Sequence, residues 1–251
     1  MIIQNLHTTP TALDREQHRQ LKLRLPISDW GVARRLNALF LAAVEFGDCA
    51  REYPIVFIRA GKGDDGRDLI APIVVLGLVN GQNLFEADGR WRATYIPAVL
   101  RCYPFCIGRI DSAQFAVCID STWPGVNTEE GEALFTPEGQ PTEFLLGMQK
   151  HLEALETEVQ RTRAVGQRLL DLDVLRDMRF DTTLPDGKQH SVDGFLTVDE
   201  AKMQALSDET VGQLHREGVL GLVHAHWVSL GHMRRMAEWH AERGSANAPE
   251  A

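Results

Sequence analysis

From residue 54 to residue 120 the chain is written as short apolar runs cut by turn residues. "PIVFIRA", "LIAPIVVLGLV", "LFEADGRW", "CIGRI" and "QFAVCID" are punctuated by "GKGDDGRD" and "NGQN". β-Branched and aromatic side chains suit a pleated surface, and Gly, Asn and Asp tolerate the backbone angles of tight connections, so the pattern predicts an antiparallel meander. The runs alternate poorly between apolar and polar, which requires helices over at least one face of that sheet.

The flanks supply such helices. "DWGVARRLNALFLAAVEFGDCAREYP" spaces Val32, Leu36, Leu39, Phe40 and Val44 by three or four residues, predicting a helix capped by Asp29 and stopped by Gly47 and Pro54. Residues 121–141 read as a long surface connection anchored by Trp123-Pro124. Thr142 then caps the longest helix signal, with Phe144, Leu145, Met148, Leu152, Leu155 and Val159 as its apolar stripe. "RFDTTLPDGKQHSVDGFLTVD" predicts a hairpin turning at Pro185-Asp186-Gly187. Ser207 caps a further helix that Gly218 ends, "VLGLVHAHWVSLGHMRRMAEWHAER" reads as one final long helix, and 244–251 as a loose tail. The expected class is α+β, a central and mostly antiparallel sheet covered by N-terminal and C-terminal helices in a single domain over residues 1–251.

Composition narrows the function classes. A net charge of −9 disfavours non-specific attraction to a nucleic-acid backbone, which needs clustered Lys and Arg. No run approaches the roughly 18 apolar residues of a membrane span, and the first residues lack the basic start and apolar stretch of a secretory signal, so a cytoplasmic address is expected. The four cysteines are too few and scattered for a disulfide framework, and the Cys102/Cys106 pair has no second ligand pair at zinc-site spacing, so small buried thiols are expected.

Chemistry-bearing motifs are sparse. His224, His226 and His232 cluster in "HAHWVSLGH", but at about 100° per residue His224 and His226 diverge on a helix, unlike a metal pair at i, i+4. Ser229 lies in helical sequence without a sharp nucleophile turn. The acid pairs of "GDDG" and "EEGE" sit in loops, where solvation accounts for them. "GKGDDGRD" has neither dinucleotide-loop spacing nor a Walker ending, and no cofactor and no metal is implied.

One stretch reverses the local charge. "GRWRATYIPAVLRCYPFCIGRI", residues 89–110, carries four arginines and no acid. Arg90, Arg92, Arg101 and Arg109 interleave with Trp91, Tyr95, Tyr103 and Phe105; guanidinium forks beside rings can grip a carboxylate or phosphate while stacking on an apolar body. The candidate ligand- or partner-binding set is therefore Arg90, Trp91, Arg92, Tyr95, Arg101, Tyr103 and Arg109, with a peptide or an acidic small molecule as the implied ligand. The alternative is structural, with these arginines paired to acids of the long helix.

The series "YPIVF" (53–57), "GLVNGQNLF" (77–85), "DGRWRATYIPAVLRCYPF" (88–105), the "DG" at 186–187, "GFLTVDEAKMQALSD" (194–208) and "LVHAHWVSLG" (222–231) resembles the SapC family of bacterial proteins, from about residue 20 to 243. The resemblance departs at Cys102, where a second basic residue is expected before "YPF". It carries over no catalytic residues. What it implies is an accessory role beside a TonB-dependent receptor or a flavin-dependent tryptophan-halogenase-like partner, in handling a peptide or aromatic compound. Two function classes follow: a non-catalytic binding or accessory protein using the 90–109 surface, and an enzyme of unfamiliar type with His224, His226 or Ser229 near a pocket mouth.

Overall fold

The computed structural model describes residues 2–109, 115–183 and 189–246; the side chains of residues 109, 182–183, 190 and 244–246 lie outside that description. The expected turn at Pro185-Asp186-Gly187 and the end of the tail, 247–251, also fall outside the described residues.

In chain order the strands are β1 (Pro10–Ala12), β2 (Lys22–Leu23), β3 (Ala38–Phe40), β4 (Ile55–Lys62), β5 (Asp68–Val75), β6 (Glu86–Ala87) and β7 (Arg90–Trp91). They continue as β8 (Phe105–Arg109), β9 (Phe115–Asp120), β10 (Val126–Asn127), β11 (Glu132–Ala133), β12 (Leu175–Thr183) and β13 (Gln189–Val198). The helices are α1 (Phe46–Cys49), α2 (Ala98–Arg101), α3 (Glu143–Asp171), α4 (Glu200–Gln204), α5 (Asp208–Arg216), α6 (Val219–Ser229) and α7 (His232–Ala246). The class is α+β, with antiparallel sheets.

These elements form two compact units. One comprises Met1–Arg35, Glu86–Arg92 and Ala98–Thr157, the other Leu36–Phe85, Ala93–Pro97 and Glu158–Ala251. α3 contributes residues 143–157 to the first and 158–171 to the second.

The first unit holds a sheet in the order β1-β9-β8. Phe105 pairs with Ile119, Cys106 with Cys118 and Ile107 with Val117. Side chains alternate across a strand, so Ile107 and Val117 share one face and the two cysteines the other. Phe105 meets Phe144 of α3 with ring centroids 6.2 Å apart, and Leu145 and Leu152 are buried below it on the same helix. Thr142 caps that helix as expected, its hydroxyl accepting from the Leu145 amide at 3.3 Å. The 121–141 connection contains β10 and β11, which flank β2, and its anchor is real: Trp123 is buried edge-on against Tyr103 at 5.9 Å.

The second unit is built on a sheet in the order β12-β13-β4-β5-β3. Ile55, Val56, Phe57, Val74 and Val75 are essentially inaccessible, which explains why β4 and β5 read as apolar runs rather than alternating ones. α3 comes so close to β5 at Gly166 that a Cβ there would lie 2.2 Å from the Ile70 carbonyl oxygen. The Ser207 cap is present, and Gly218 adopts φ 77°, the left-handed angle that lets α5 end and α6 begin.

Two expected helices are corrected. Residues 30–47 do not form one helix: Asp29 caps only a single 3-10 turn, Trp30–Ala33, and 38–40 are the edge strand β3. Tertiary hydrogen bonds decide this, because the Asn37 carbonyl accepts from Leu76 and Gly77, and the spacing that suggested a helix instead buries Leu36 and Leu39 while leaving Val44 exposed. The final helix is broken at Leu230-Gly231. There the Ser229 hydroxyl bonds back to the His226 carbonyl at 2.5 Å and also accepts from Ile55 N at 2.9 Å, a side-chain intrusion that favours a bend.

Candidate functional site

The residues of the arginine and aromatic stretch take up different surroundings. Within the first unit, Arg90 and Arg92 are exposed on and beside β7, and Arg101 is exposed at the end of α2. Trp91 is half-buried against Trp30, ring centroids 5.7 Å apart. Tyr103 is buried, and its hydroxyl donates to Asp120 Oδ2 at 3.1 Å; burial, then the Asp120 charge, pushes the phenol well above its ordinary pKa. Tyr95 belongs to the second unit, where its hydroxyl donates to Glu45 Oε1 at 2.8 Å, its amide to Glu52 Oε1 at 2.9 Å, and its carbonyl accepts from the Tyr53 hydroxyl. Arg109 closes β8, and its side chain lies outside the described residues.

Two acids missed by sequence reasoning organise this region. Glu86, fully buried, accepts from Arg34 Nε at 3.1 Å and from Gly89 N at 2.9 Å, closing the β6–β7 hairpin. Asp120 accepts from the amides of Thr8 and Thr9 at 3.0 and 3.1 Å and from the Thr122 hydroxyl at 2.7 Å. Burial alone would raise its pKa, but those donors outweigh burial and hold the carboxyl below the usual range.

A concavity lies elsewhere in the first unit. A cavity of about 590 Å³ opens on the Ile107/Val117 face of the sheet, beside α3. Leu145, Gln149, Leu152 and Glu153 follow one another at i, i+4, i+7 and i+8, so one helix face supplies two apolar and two polar lining residues. On the strand side, Leu13 N donates to Val117 O at 2.9 Å, which brings Asp14 and Arg15 alongside Ala116 and Phe115. The result is an apolar floor with a charged rim, in the size range of small-molecule sites. Its sequence signal was the interruption of the α3 stripe by Gln149 and Glu153; what the sequence could not supply was the strand face opposite.

A model of the family described as SapC matches residues 13–236. This chain belongs to the SapC family. The match covers β2 to β13 and every described residue that lines the groove, and leaves out β1 and the end of α7. No curated protein and no solved structure matches the chain.

In this SapC protein the histidine and serine candidates differ in burial and in partners. His226 is fully buried in the second unit: Nδ1–H donates to the Ile55 carbonyl at 2.8 Å, while Nε2 accepts from Thr197 Oγ1 at 2.9 Å and Val198 N at 3.2 Å. Burial holds its pKa down at about 4, and Phe57 packs on the ring edge-on at 5.1 Å. Ser229 is equally sealed. His224 is exposed beside Trp227, and His232 contacts the Ala50 carbonyl at 3.0 Å. The three imidazoles thus take up three separate tasks. All four cysteines are buried thiols. No helix among the described residues is long and apolar enough to cross a membrane.

Proposed function

We propose that this SapC protein is a non-catalytic binding or accessory protein, which holds a small amphipathic molecule or a peptide end in the groove between the Ile107/Val117 face and α3. The observation that carries this reading is the cavity of about 590 Å³ with an apolar floor and polar rim. The sealed state of His226 and Ser229 supports it over the enzyme reading, which is left with the exposed His224 alone. The exposed Arg90, Arg92 and Arg101 of the same unit are the proposed contact for an acidic partner surface. That partner, on the family resemblance, is a halogenase-like enzyme or a TonB-dependent receptor that exchanges the bound compound.

Titration with the neutral apolar dye Nile red tests the groove. Saturable one-site binding is expected, reduced by about tenfold in Gln149→Phe, which fills the groove from a half-exposed helix position. Circular dichroism and melting of the variant should match the parent. No saturable binding, or binding indifferent to Gln149→Phe, overturns the assignment.

A further inference from the structure

The charge around the groove mouth selects among amphipathic ligands. Among the described residues that line it, three are charged: Asp14, Arg15 and Glu153. Asp14 Oδ1 accepts from the amides of Glu16 and Gln17 at 2.9 and 2.8 Å, and these bonds keep its carboxyl below the ordinary carboxylate range, so it is ionised at neutral pH. Glu153 is exposed and makes no ion pair among the described residues. Arg15, the only cation of the three, already has Glu16 Oε1 at 3.8 Å. Among the described lining residues the charge is therefore net negative, and Arg15 faces a second carboxylate.

Phe115 adds an aromatic surface to the same wall; it is 49 % exposed and lies alongside Arg15 and Ala116. A large ring left half in water at a cavity edge can receive the apolar part of a ligand. Below it, Ile107, Val117, Leu145 and Leu152 present only hydrocarbon.

We infer that the groove selects hydrophobic cations: an aromatic or branched aliphatic body on the Ile107/Val117/Leu145 floor, with an ammonium group at the Asp14/Glu153 rim. Amines of this type and the amino terminus of a short apolar peptide share that chemistry. The inference rests on the groove reading above and deepens it by naming the ligand class. It runs opposite in sign to the anion expected from the arginine stretch, because the groove is lined by different residues.

Three isosteric probes separate the class from the groove: 3-phenylpropylamine, 3-phenylpropanol and 3-phenylpropionate, each competing with Nile red on the full chain at low salt. The amine should displace the dye at about tenfold lower concentration than the alcohol, the propionate should be weakest, and added salt should shrink the gap. Glu153→Gln should remove most of the amine preference and leave the alcohol unchanged, and Arg15→Ala should widen it. Equal or tighter binding of alcohol or propionate overturns the cation inference while the groove stands, provided Gln149→Phe still weakens all three. Failure of Nile red itself to bind overturns both. 3-Phenylpropylamine and a Phe-Leu-amide peptide, compared in the same assay, distinguish a free amine from a peptide terminus as the source.

Discussion

His226 Nδ1 lies 2.8 Å from the carbonyl oxygen of Ile55, and this bond fixes the imidazole as the tautomer that carries its proton on Nδ1 and accepts at Nε2. Protonating Nε2 would turn that acceptor against the Val198 amide, which donates to it at 3.2 Å. The folded protein therefore keeps the ring neutral down to about 4, whereas the unfolded chain takes up a proton near 6.5. Between those values the unfolded state binds more protons, so acid favours unfolding. Stability should fall by roughly 3 kcal/mol as pH drops from 6.5 to 4, at about 1.4 kcal/mol per pKa unit. Urea denaturation across that window should show the slope in the parent and a shallower one in His226→Gln. His7, whose pKa burial also lowers, leaves a residual slope of the same sign. A variant as steep as the parent would refute the assignment.

The thiols of Cys106 and Cys118, paired in register across β8 and β9, should be inert in the native protein. Burial and the neighbouring Cys118 push the Cys106 thiol up to about 12, so almost no thiolate is present at neutral pH. Ellman's reagent should label neither at a measurable rate until urea unfolds the chain, when all four cysteines react together. Labelling of Cys106 in native buffer faster than global unfolding would contradict this.

The Asp120 network makes a third prediction. Removing its carboxylate leaves the buried Tyr103 hydroxyl, and the part-buried amide bonds of Thr8 and Thr9, without their acceptor. Asp120→Ala should cost about 3–5 kcal/mol and Tyr103→Phe about 1–2 kcal/mol, with the double variant less than additive because the two share a bond. Additive losses in urea melts would show that Tyr103 and Asp120 are not energetically coupled.

What could be read in advance follows from how local each signal is. The Thr142 and Ser207 caps and the Gly218 turn depend on a few adjacent residues, and all three are present. β4, β5, β8 and β9 were legible because β-branched runs between turn residues have no competing local use. Residues 30–47 were not, since their helical spacing is equally satisfied by an edge strand once the Asn37 carbonyl has found Leu76 and Gly77. The break after Ser229 depends on Ile55, far away in sequence. The groove was half legible: the polar intrusions Gln149 and Glu153 are visible in the α3 stripe, but the wall they face requires knowing that Ile107 and Val117 are register partners. Tyr95 and Tyr103, which looked alike as binding aromatics, were separated by the acids each reaches, Glu45 and Asp120.

Two glycines of α3 should respond in opposite directions to the same substitution. Gly147 has open space where a Cβ would be built, with no heavy atom of a neighbouring side chain or strand within 4 Å. Alanine there restricts the unfolded chain and improves helix propensity, so Gly147→Ala should stabilise by about 0.5–1 kcal/mol. At Gly166 the added carbon would sit 2.2 Å from the Ile70 carbonyl oxygen and 3.1 Å from its Cβ. Neither group is a flexible chain end, so α3 and β5 would have to separate, and Gly166→Ala should destabilise by about 2–3 kcal/mol despite its better propensity. Paired urea melts decide it: if Gly166→Ala is as stable as Gly147→Ala, the close helix–strand approach at Ile70 is not a feature of the folded protein in solution.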